Sequence, residues 1–182
     1  MGTEMLGAVV ALLLLLSMFV FACLRGGTSD RAEAGLPREL RGAEIAYAEQ
    51  TFRSNSRMLV ARIDRAYRTT AGLQLLELKT RARDAVYMAD VIELSVQRVA
   101  MQDHLGEAVL PDAWVVVQHA ETGARRTHRV TLLSTEEVAA HARRFRAVQA
   151  GDVDQLTPAR SQRQCKKCGH RARCNARFHD RD

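Results

Sequence analysis

A long uncharged run near the amino terminus constrains what this 182-residue chain can form. No charged side chain occurs from Leu6 to Leu24. At about 1.5 Å per residue, a helix of that length matches the hydrocarbon core of a bilayer. We therefore expect residues 1–26 to form an N-terminal transmembrane anchor, so that the folded domain must come from the rest of the chain.

Two other uses of this run are a cleaved signal peptide and a lipoprotein signal that ends at Cys23. Both need a basic segment before the apolar run, whereas the preceding residues hold Glu4 and no Lys or Arg. Phe21 also stands where a lipoprotein signal prefers a small residue. Arginines follow the run and nothing basic precedes it, so the positive-inside bias predicts a single-pass protein of the inner (cytoplasmic) membrane with its domain facing the cytoplasm.

The remaining chain has the length and composition of one folded domain with short flanking segments. The full sequence, with 47% hydrophobic and 26% charged residues, is not compositionally disordered. We predict a linker over residues 27–38, a domain over 39–158 and a basic, cysteine-rich tail over 159–182. Periodicity predicts helices over residues 39–53 and 85–101, and strands over 58–67, 73–79, 114–119 and 126–133. Ser134 and Glu137 have the spacing of a capping box that opens a third helix.

The first two predicted strands bring two carboxylates together. If they pair as a hairpin about Thr70 and Ala71, Asp64 lies directly opposite Glu77. Cross-strand neighbours have Cβ atoms about 4.5 to 5.5 Å apart, which is close enough for both carboxylates to bind one hard cation such as Mg²⁺ or Mn²⁺. The hairpin register therefore predicts a divalent metal site.

A solitary lysine stands next to this predicted site. Of 27 basic residues only three are lysines, and Lys79 is the only lysine before the tail. Strand alternation puts Lys79 on the same face as Glu77. Unlike Arg, Lys is a compact charge whose pKa responds to its surroundings, so this position suits a group that positions or deprotonates water. The alternative is a strand-end lysine that only pairs with Glu77 at the surface.

These residues resemble a known pattern. Arg62-Ile63-Asp64, then Glu77-Leu78-Lys79, then Gln97 in the following helix, resemble the PD-(D/E)xK nucleases and specifically their RecB-like branch. The cysteine-rich tail is similar to the end of the CRISPR-associated RecB-like exonucleases, the Cas-four-type family. The resemblance implies an α/β fold with a restriction-endonuclease-like core, which is a mixed central sheet flanked by helices.

The resemblance also implies roles for individual residues. It assigns Asp64 and Glu77 to the divalent metal, with the backbone carbonyl of Leu78 as a further ligand. It makes Lys79 act on the attacking water and gives Gln97 a supporting role, and it implies no small-molecule organic cofactor.

The sequence departs from the family pattern at two places. The helical motif of the family continues Gln-x-x-x-Tyr, but Met101 replaces the tyrosine. The upstream His that often completes the metal site has no clear counterpart, and Glu44 or Glu49 on the first predicted helix are the candidates to replace it. Asp90 and Glu93 share one helix side with Gln97, and an ordinary solvent-facing stripe explains these two acidic residues equally well.

Three cysteines cluster in the tail, at Cys165, Cys168 and Cys174. Their close spacing argues for metal or cluster ligation rather than a disulfide framework. By resemblance they would hold an iron-sulfur cluster of the 4Fe-4S type, with Cys23 as the only cysteine left for the fourth ligand. A zinc site that uses His170 or His179 as the fourth ligand is the alternative.

The tail also carries the positive charge of the protein. Residues 159–182 hold eight Lys or Arg against two Asp, which equals the whole formal net charge of +6. Phosphate contacts are therefore predicted for five of these residues, which are Arg163, Lys166, Lys167, Arg171 and Arg173.

Three functions are compatible with these features. The first is a membrane-anchored, metal-dependent nuclease, exonuclease-like, acting on single-stranded DNA or duplex ends. The second is a nuclease-fold module without catalytic activity that ties nucleic acid to the membrane. The third is binding of the basic tail to anionic lipid next to the anchor.

Overall fold

The computed structural model describes residues 35–152, 154, 165–166 and 168–169. The chain divides into two compact units, residues 1–138 and 139–182. The predicted apolar span, residues 27–34 of the linker and most of the basic tail lie outside the described residues. Within the described part of the chain, no helix is long and apolar enough to cross a membrane.

The first unit is a mixed α/β fold with a five-stranded sheet. The strands are β1 (Glu44–Ala48), β2 (Thr51–Ser54), β3 (Leu59–Arg62), β4 (Arg65–Thr69), β5 (Gly72–Arg81), β6 (Val109–His119) and β7 (Arg125–Thr131), and the helices are α1 (Met88–Leu105) and α2 (Thr135–Gln149). The main sheet has the order β1-β4-β5-β6-β7, whereas β2 and β3 form a separate two-stranded sheet. Only the β5–β6 pair of the main sheet is parallel, because α1 forms the crossover between these strands.

The helix predicted over residues 39–53 is wrong. The chain forms only a 3₁₀ turn at Arg38–Leu40 and then the two strands β1 and β2. Gly42 and Glu49 have φ angles of 74° and 53°, so a right-handed helical conformation is interrupted on both sides of β1. Pairing of β1 with β4 satisfies the backbone groups that a helix would have satisfied locally, so tertiary contacts override the apolar period of the sequence. Glu44 therefore lies on a strand and Glu49 in a turn.

The strand predicted over residues 58–67 is two strands that belong to different sheets. β3 ends at Arg62 and β4 begins at Arg65. The Ile63 N–H donates to the Gln50 carbonyl at 3.0 Å, and the Glu49 N–H donates to the Asp64 carbonyl at 3.0 Å. The chain thus crosses between sheets at Ile63 and Asp64, and the Asp64 side chain lies just outside the β4–β5 ladder.

The hairpin register predicted from the sequence is confirmed. Arg65 pairs with Leu76 and Thr69 pairs with Gly72, with Thr70 and Ala71 as the loop. β5 continues to Arg81, whereas its pairing with β4 stops at Leu76. The second half of β5 therefore has a backbone edge that β4 does not cover.

The two faces of the main sheet are covered by different segments. On one face Leu36 and Leu40, from the segment before β1, pack with Tyr67, Leu76 and Val116. On the other face α1 packs against β5 and β6, and also against β2 and β3. Side chains alternate along β5, so Leu75, Glu77 and Lys79 lie on the α1 face.

Helix α1 is anchored to the two-stranded sheet near its C-terminal end. The Asp103 carboxylate accepts hydrogen bonds from the Ser54 hydroxyl and from Arg57 Nη1, both at 2.5 Å. Gly106 follows the helix in the left-handed conformation, with φ of 69°, and terminates it. Burial alone would raise the pKa of Asp103, but the hydrogen bonds from Ser54 and Arg57 outweigh it, so the pKa lies below its usual value.

The capping box predicted for α2 is confirmed. The Glu137 carboxylate accepts from the Ser134 N–H at 2.7 Å, and the Ser134 hydroxyl accepts from the Glu137 N–H at 3.2 Å. The helix begins in the first unit and continues into the second. In the second unit the described tail residues include Cys165 and Cys168, joined by a backbone hydrogen bond from the Cys168 N–H to the Cys165 carbonyl at 3.2 Å.

Gly72 is expected to resist substitution because its backbone has φ of 133° and approaches the backbone of Ala108, the residue before β6. A Cβ at this position would lie 2.8 Å from the Ala108 carbonyl oxygen. Gly72→Ala should therefore lower the free energy of unfolding by about 1–3 kcal/mol, the size expected for a strained backbone position. Urea unfolding of the full chain measures this, with Gly42→Ala as the matched control, since Gly42 also has positive φ but open space around it. An equal loss in the two variants would contradict the close-approach explanation.

Asp103 is expected to make stability depend on pH in the acid range. Because its folded pKa is lowered, its contribution is fully present above the unfolded value of about 3.9 and is lost as pH falls through the folded value. Asp103→Asn should therefore lower stability at pH 7 and flatten the acid limb of a plot of unfolding free energy against pH. Parallel acid limbs for the variant and the wild type would contradict this assignment.

Candidate active site

Asp64 is held against the uncovered edge of β5. Its Oδ2 accepts a hydrogen bond from the Leu78 N–H at 2.9 Å. This contact places the carboxylate beside Glu77, at a β5 residue two positions beyond Leu76, the last β5 residue that pairs with β4. The predicted neighbourhood of Asp64 and Glu77 is therefore present, although Asp64 lies in the connection before β4 rather than within a strand.

Glu77 is a buried carboxylate with two side-chain partners. Only 4% of the residue is exposed. Its Oε1 accepts from Lys79 Nζ at 2.6 Å, and its Oε2 accepts from Gln97 Nε2 at 3.1 Å. Burial raises the pKa of Glu77, and the negative charge of Asp64 raises it further, against the opposing hydrogen bonds from Lys79 and Gln97. A positive charge beside the two carboxylates would relieve this unfavourable electrostatic energy.

Lys79 bridges the strand and the helix. Its ammonium donates to Glu77 Oε1 at 2.6 Å and to Glu93 Oε2 at 2.8 Å. Partial burial alone would lower the pKa of Lys79, but the hydrogen bonds to Glu77 and Glu93 outweigh it and raise the pKa to about 12. At neutral pH the group is therefore a cation, which suits positioning and charge stabilisation and disfavours a role in which it takes up a proton.

Gln97 links three parts of the site. Its amide nitrogen donates to the Glu77 carboxylate and to the Arg62 backbone carbonyl, each at 3.1 Å. The side chain thus ties α1 to β5 and to the end of β3. Met101, one turn further along α1, is fully buried in the core and therefore presents no group at the site surface.

The donor set fits a small hard cation. In a β-strand the N–H and C=O of one residue point to the same side, so the Leu78 carbonyl faces the same edge as the N–H that Asp64 accepts. Two carboxylates and one carbonyl are oxygen ligands of the kind that Mg²⁺ takes, with water and phosphate oxygens completing its shell. The candidate site has only two such side chains, Asp64 and Glu77. Among the described residues, no group of three or more His, Cys, Asp or Glu side chains is placed to hold a metal ion.

The further acidic residues named from the sequence lie in different surroundings. Glu49 pairs with Arg62, the side chains being 62% and 65% exposed, so it is engaged in a surface ion pair, and Glu44 is exposed on β1. Asp90 does not face solvent, because it is 3% exposed and binds Arg81, whereas Glu93 is exposed at the surface and binds Lys79 there.

Arg81 is the residue that the sequence interpretation missed. It continues the alternation of Glu77 and Lys79 on β5, just as Asp90 and Glu93 precede Gln97 on α1. The strand period of two and the helix spacing of three and four mark these residues as candidates for pairing, but they do not show which helix face meets the strand.

The tail residues lie largely outside the described part of the chain. Cys165 and Cys168 are described, as is Lys166, which is exposed. The residues without description include Cys174, the candidate fourth ligands Cys23, His170 and His179, and the candidate phosphate contacts Arg163, Lys167, Arg171 and Arg173. Ligation of the cysteines therefore stays a prediction.

Comparison with known proteins identifies the family. The PD-(D/E)XK nuclease superfamily profile matches residues 21–175. Among 21 solved chains that match is the crystal structure of SSO0001, at 13% identity and a TM-score of 0.43, with 88% of this chain and 70% of that chain covered. No curated protein matches significantly. Because the profile spans most of the sequence, and its domain contains the Asp64, Glu77 and Lys79 arrangement, the chain belongs to the PD-(D/E)XK nuclease superfamily.

Proposed function

We propose that this protein is a divalent-metal-dependent nuclease that hydrolyses phosphodiester bonds in DNA, with an exonuclease-like action on single strands or duplex ends. The proposal rests on one observation above all. The backbone edge of β5 carries Asp64 on its Leu78 N–H, directly beside the buried Glu77 carboxylate with its lysine and glutamine partners.

The proposed metal ligands are Asp64, Glu77 and the Leu78 carbonyl, and the metal is Mg²⁺ or Mn²⁺. When bound, such an ion lowers the pKa of a water and neutralises charge on the scissile phosphate. The crowding of two carboxylates raises the pKa of Glu77, and this supports the proposal because a cation there is electrostatically favourable.

Lys79 and Gln97 are proposed to assist the reaction without binding the metal. The Lys79 ammonium is charged and has three donors, two of which are used by Glu77 and Glu93. Its remaining donor is available to orient the attacking water or a phosphate oxygen. Gln97 restrains Glu77 by donating to its Oε2, and the other carboxylate oxygen, Oε1, accepts from Lys79. In this scheme Asp64, Glu77 and Lys79 contact the reacting groups, and Gln97 keeps Glu77 in place.

The basic tail is proposed to hold the DNA strand by phosphate contacts. The tail carries the entire net positive charge of the chain, so binding should be electrostatic and should weaken steeply with salt. The apolar run over residues 6–24 is proposed as the membrane anchor of this nuclease, with the domain on the cytoplasmic side, on the sequence argument above.

Substitution of Asp64, Glu77 or Lys79 should lower the rate of DNA cleavage. Lys79→Met is expected to lower the rate of DNA digestion in Mn²⁺ by about 10²–10³-fold, the loss typical of removing one charge-stabilising donor. Asp64→Asn and Glu77→Gln should abolish metal-dependent cleavage because each removes an anionic ligand. Digestion of labelled single-stranded and duplex DNA by the full chain, with and without EDTA, measures these rates.

Arg68→Met is the matched control for Lys79→Met. Arg68 is also a strand cation paired with a carboxylate, Glu107, but lies at the other end of β4, and its loss should leave digestion unchanged. Cleavage that survives Lys79→Met and Asp64→Asn would refute the site. Salt-sensitive DNA binding without any metal-dependent cleavage in the wild type would instead select a non-catalytic nucleic-acid-binding module.

We also propose an iron-sulfur cluster of the 4Fe-4S type in the tail. Cys165 and Cys168 fit such a group, since the hydrogen bond between their backbones folds the Cys-x-x-Cys segment into a turn that keeps the two residues close. Thiolates at this spacing are ligands for iron-sulfur clusters and for zinc. Cys174 would supply the third thiolate.

Colour distinguishes the cluster from zinc. Anaerobically purified full chain should be brown, with a broad visible absorption band and bound iron and sulfide, because thiolate-to-iron charge transfer absorbs visible light. Cys165→Ser and Cys168→Ser should each reduce the iron content and bleach the band, whereas Ser161→Ala in the same tail should not. A colourless protein containing one zinc ion would overturn the cluster in favour of a zinc site.

A further inference from the structure

Strand β5 and helix α1 are joined by three consecutive side-chain contacts. Glu77 meets Gln97 at 3.1 Å, Lys79 meets Glu93 at 2.8 Å, and Arg81 meets Asp90 through two hydrogen bonds of 2.8 and 2.5 Å. The strand residues are two positions apart and the helix residues three or four apart. We call these contacts the β5–α1 ladder. Its first two rungs belong to the candidate active site, whereas the partners of the third are Asp90, the Ala85 carbonyl and the Tyr87 N–H, and the Lys79 charge acts on Asp90 only through space.

The third rung is the most constrained of the three. Arg81 uses both terminal nitrogens on the two oxygens of Asp90, and its Nη1 also donates to the Ala85 carbonyl at 2.7 Å. Its guanidinium lies 4.7 Å from the centre of the Tyr87 ring. Such a fork holds orientation as well as distance, because two parallel hydrogen bonds fix the plane of the guanidinium.

Asp90 connects this rung to the start of the helix. It is 3% exposed, and its Oδ2 also accepts the Tyr87 N–H at 2.8 Å. Burial alone would raise the pKa of Asp90, but the hydrogen bonds from Arg81 and from the Tyr87 backbone outweigh it and lower the pKa. The carboxylate is therefore charged, and it fixes the first turn of α1 to the end of β5.

The dimensions of strand and helix explain why the Arg81–Asp90 contact affects the other two rungs. Two strand residues advance about 6.6–6.8 Å, and three or four helical residues advance about 4.5–6.0 Å. A shift of α1 by one residue would move Gln97 about 1.5 Å along the axis and rotate it by about 100°. The amide would then leave Glu77, and Glu93 would leave Lys79.

We propose that Arg81 and Asp90 are positioning residues for the nuclease site. Their pair sets the register and rotation of α1 along β5 and thereby holds Gln97 against Glu77 and Glu93 against Lys79. This inference rests on the proposed function for its kinetic consequence, but its structural content, the placement of Gln97, is independent of catalysis.

The opposite end of α1 provides a matched control. Asp103 also anchors the helix through an arginine, Arg57, but its hydrogen-bond partners lie on β2 and on the turn between β2 and β3. Gln97 lies about 10 Å along the helix from either anchor, at about 1.5 Å per residue. If anchoring α1 anywhere were sufficient, Asp90→Asn and Asp103→Asn would have the same effect on the site.

The kinetic experiment compares Arg81→Lys, Asp90→Asn and Asp103→Asn in the full chain, at a temperature where all are folded. Arg81→Lys keeps the charge but loses the fork, and Asp90→Asn keeps an acceptor for the Tyr87 N–H. Both should lower kcat for DNA digestion by about 10- to 100-fold, the usual size for groups that orient catalytic ligands. KM should change little, because no contact with substrate is removed, and Asp103→Asn should retain wild-type kcat. Equal kcat in the two Asn variants would overturn the proposal.

A second measurement does not depend on catalysis. The side-chain amide protons of Gln97, followed by NMR, should be protected from solvent exchange in the wild type and in Asp103→Asn. Arg81→Lys and Asp90→Asn should lose this protection or shift the resonances. Unchanged Gln97 resonances in these two variants would overturn the positioning role even if the chain cuts no DNA. Absence of cleavage in the wild type, with the NMR shifts as expected, would instead reject the proposed function and leave the positioning role supported.

Discussion

The buried carboxylate of Glu77 is the constraint on which the rest of the structure depends. An isolated charge with 4% exposure is strongly unfavourable, since burial penalises the ionised form. Lys79 compensates the charge and Gln97 supplies a hydrogen bond from the helix. The sheet, the crossover helix and the hairpin turn can be understood as the framework that brings these partners to one carboxylate.

Two kinds of contact maintain that framework. Backbone pairing sets the strand register: the hairpin loop at Thr70 and Ala71 closes one end of the β4–β5 ladder, and the other end, at Arg65 and Leu76, stops just before the site. Side-chain pairs then attach α1, through Asp90 to the end of β5 and through Asp103 to the β2–β3 sheet. The uncovered edge of β5 is a consequence of its extra length, and it is this edge that receives Asp64 at the Leu78 N–H.

The hairpin that carries the candidate site residues was more predictable from the sequence than the segment before it. Asp64, Glu77 and Lys79 came from strand alternation and a two-residue hairpin loop, which are local rules with few alternatives. The helix predicted over residues 39–53 was wrong because its apolar spacing also fits two short strands, and pairing with β4 decides between the two. Asp90 and Glu93 could not be distinguished from a solvent-facing stripe until the opposite strand was known, since a helix surface is buried only by what packs on it.

The sequence by itself determined the hairpin register, the family and the chemical types at the site, because these depend on spacing along one or two adjacent strands. The tertiary structure alone decided three hydrogen-bonded pairs, which are Gln97 with Glu77, Lys79 with Glu93, and Arg81 with Asp90. These contacts join residues 9 to 20 positions apart in the chain across the β5–α1 crossover. Their formation depends on how the helix is rotated and placed over the sheet, and that placement results from the packing of the whole first unit.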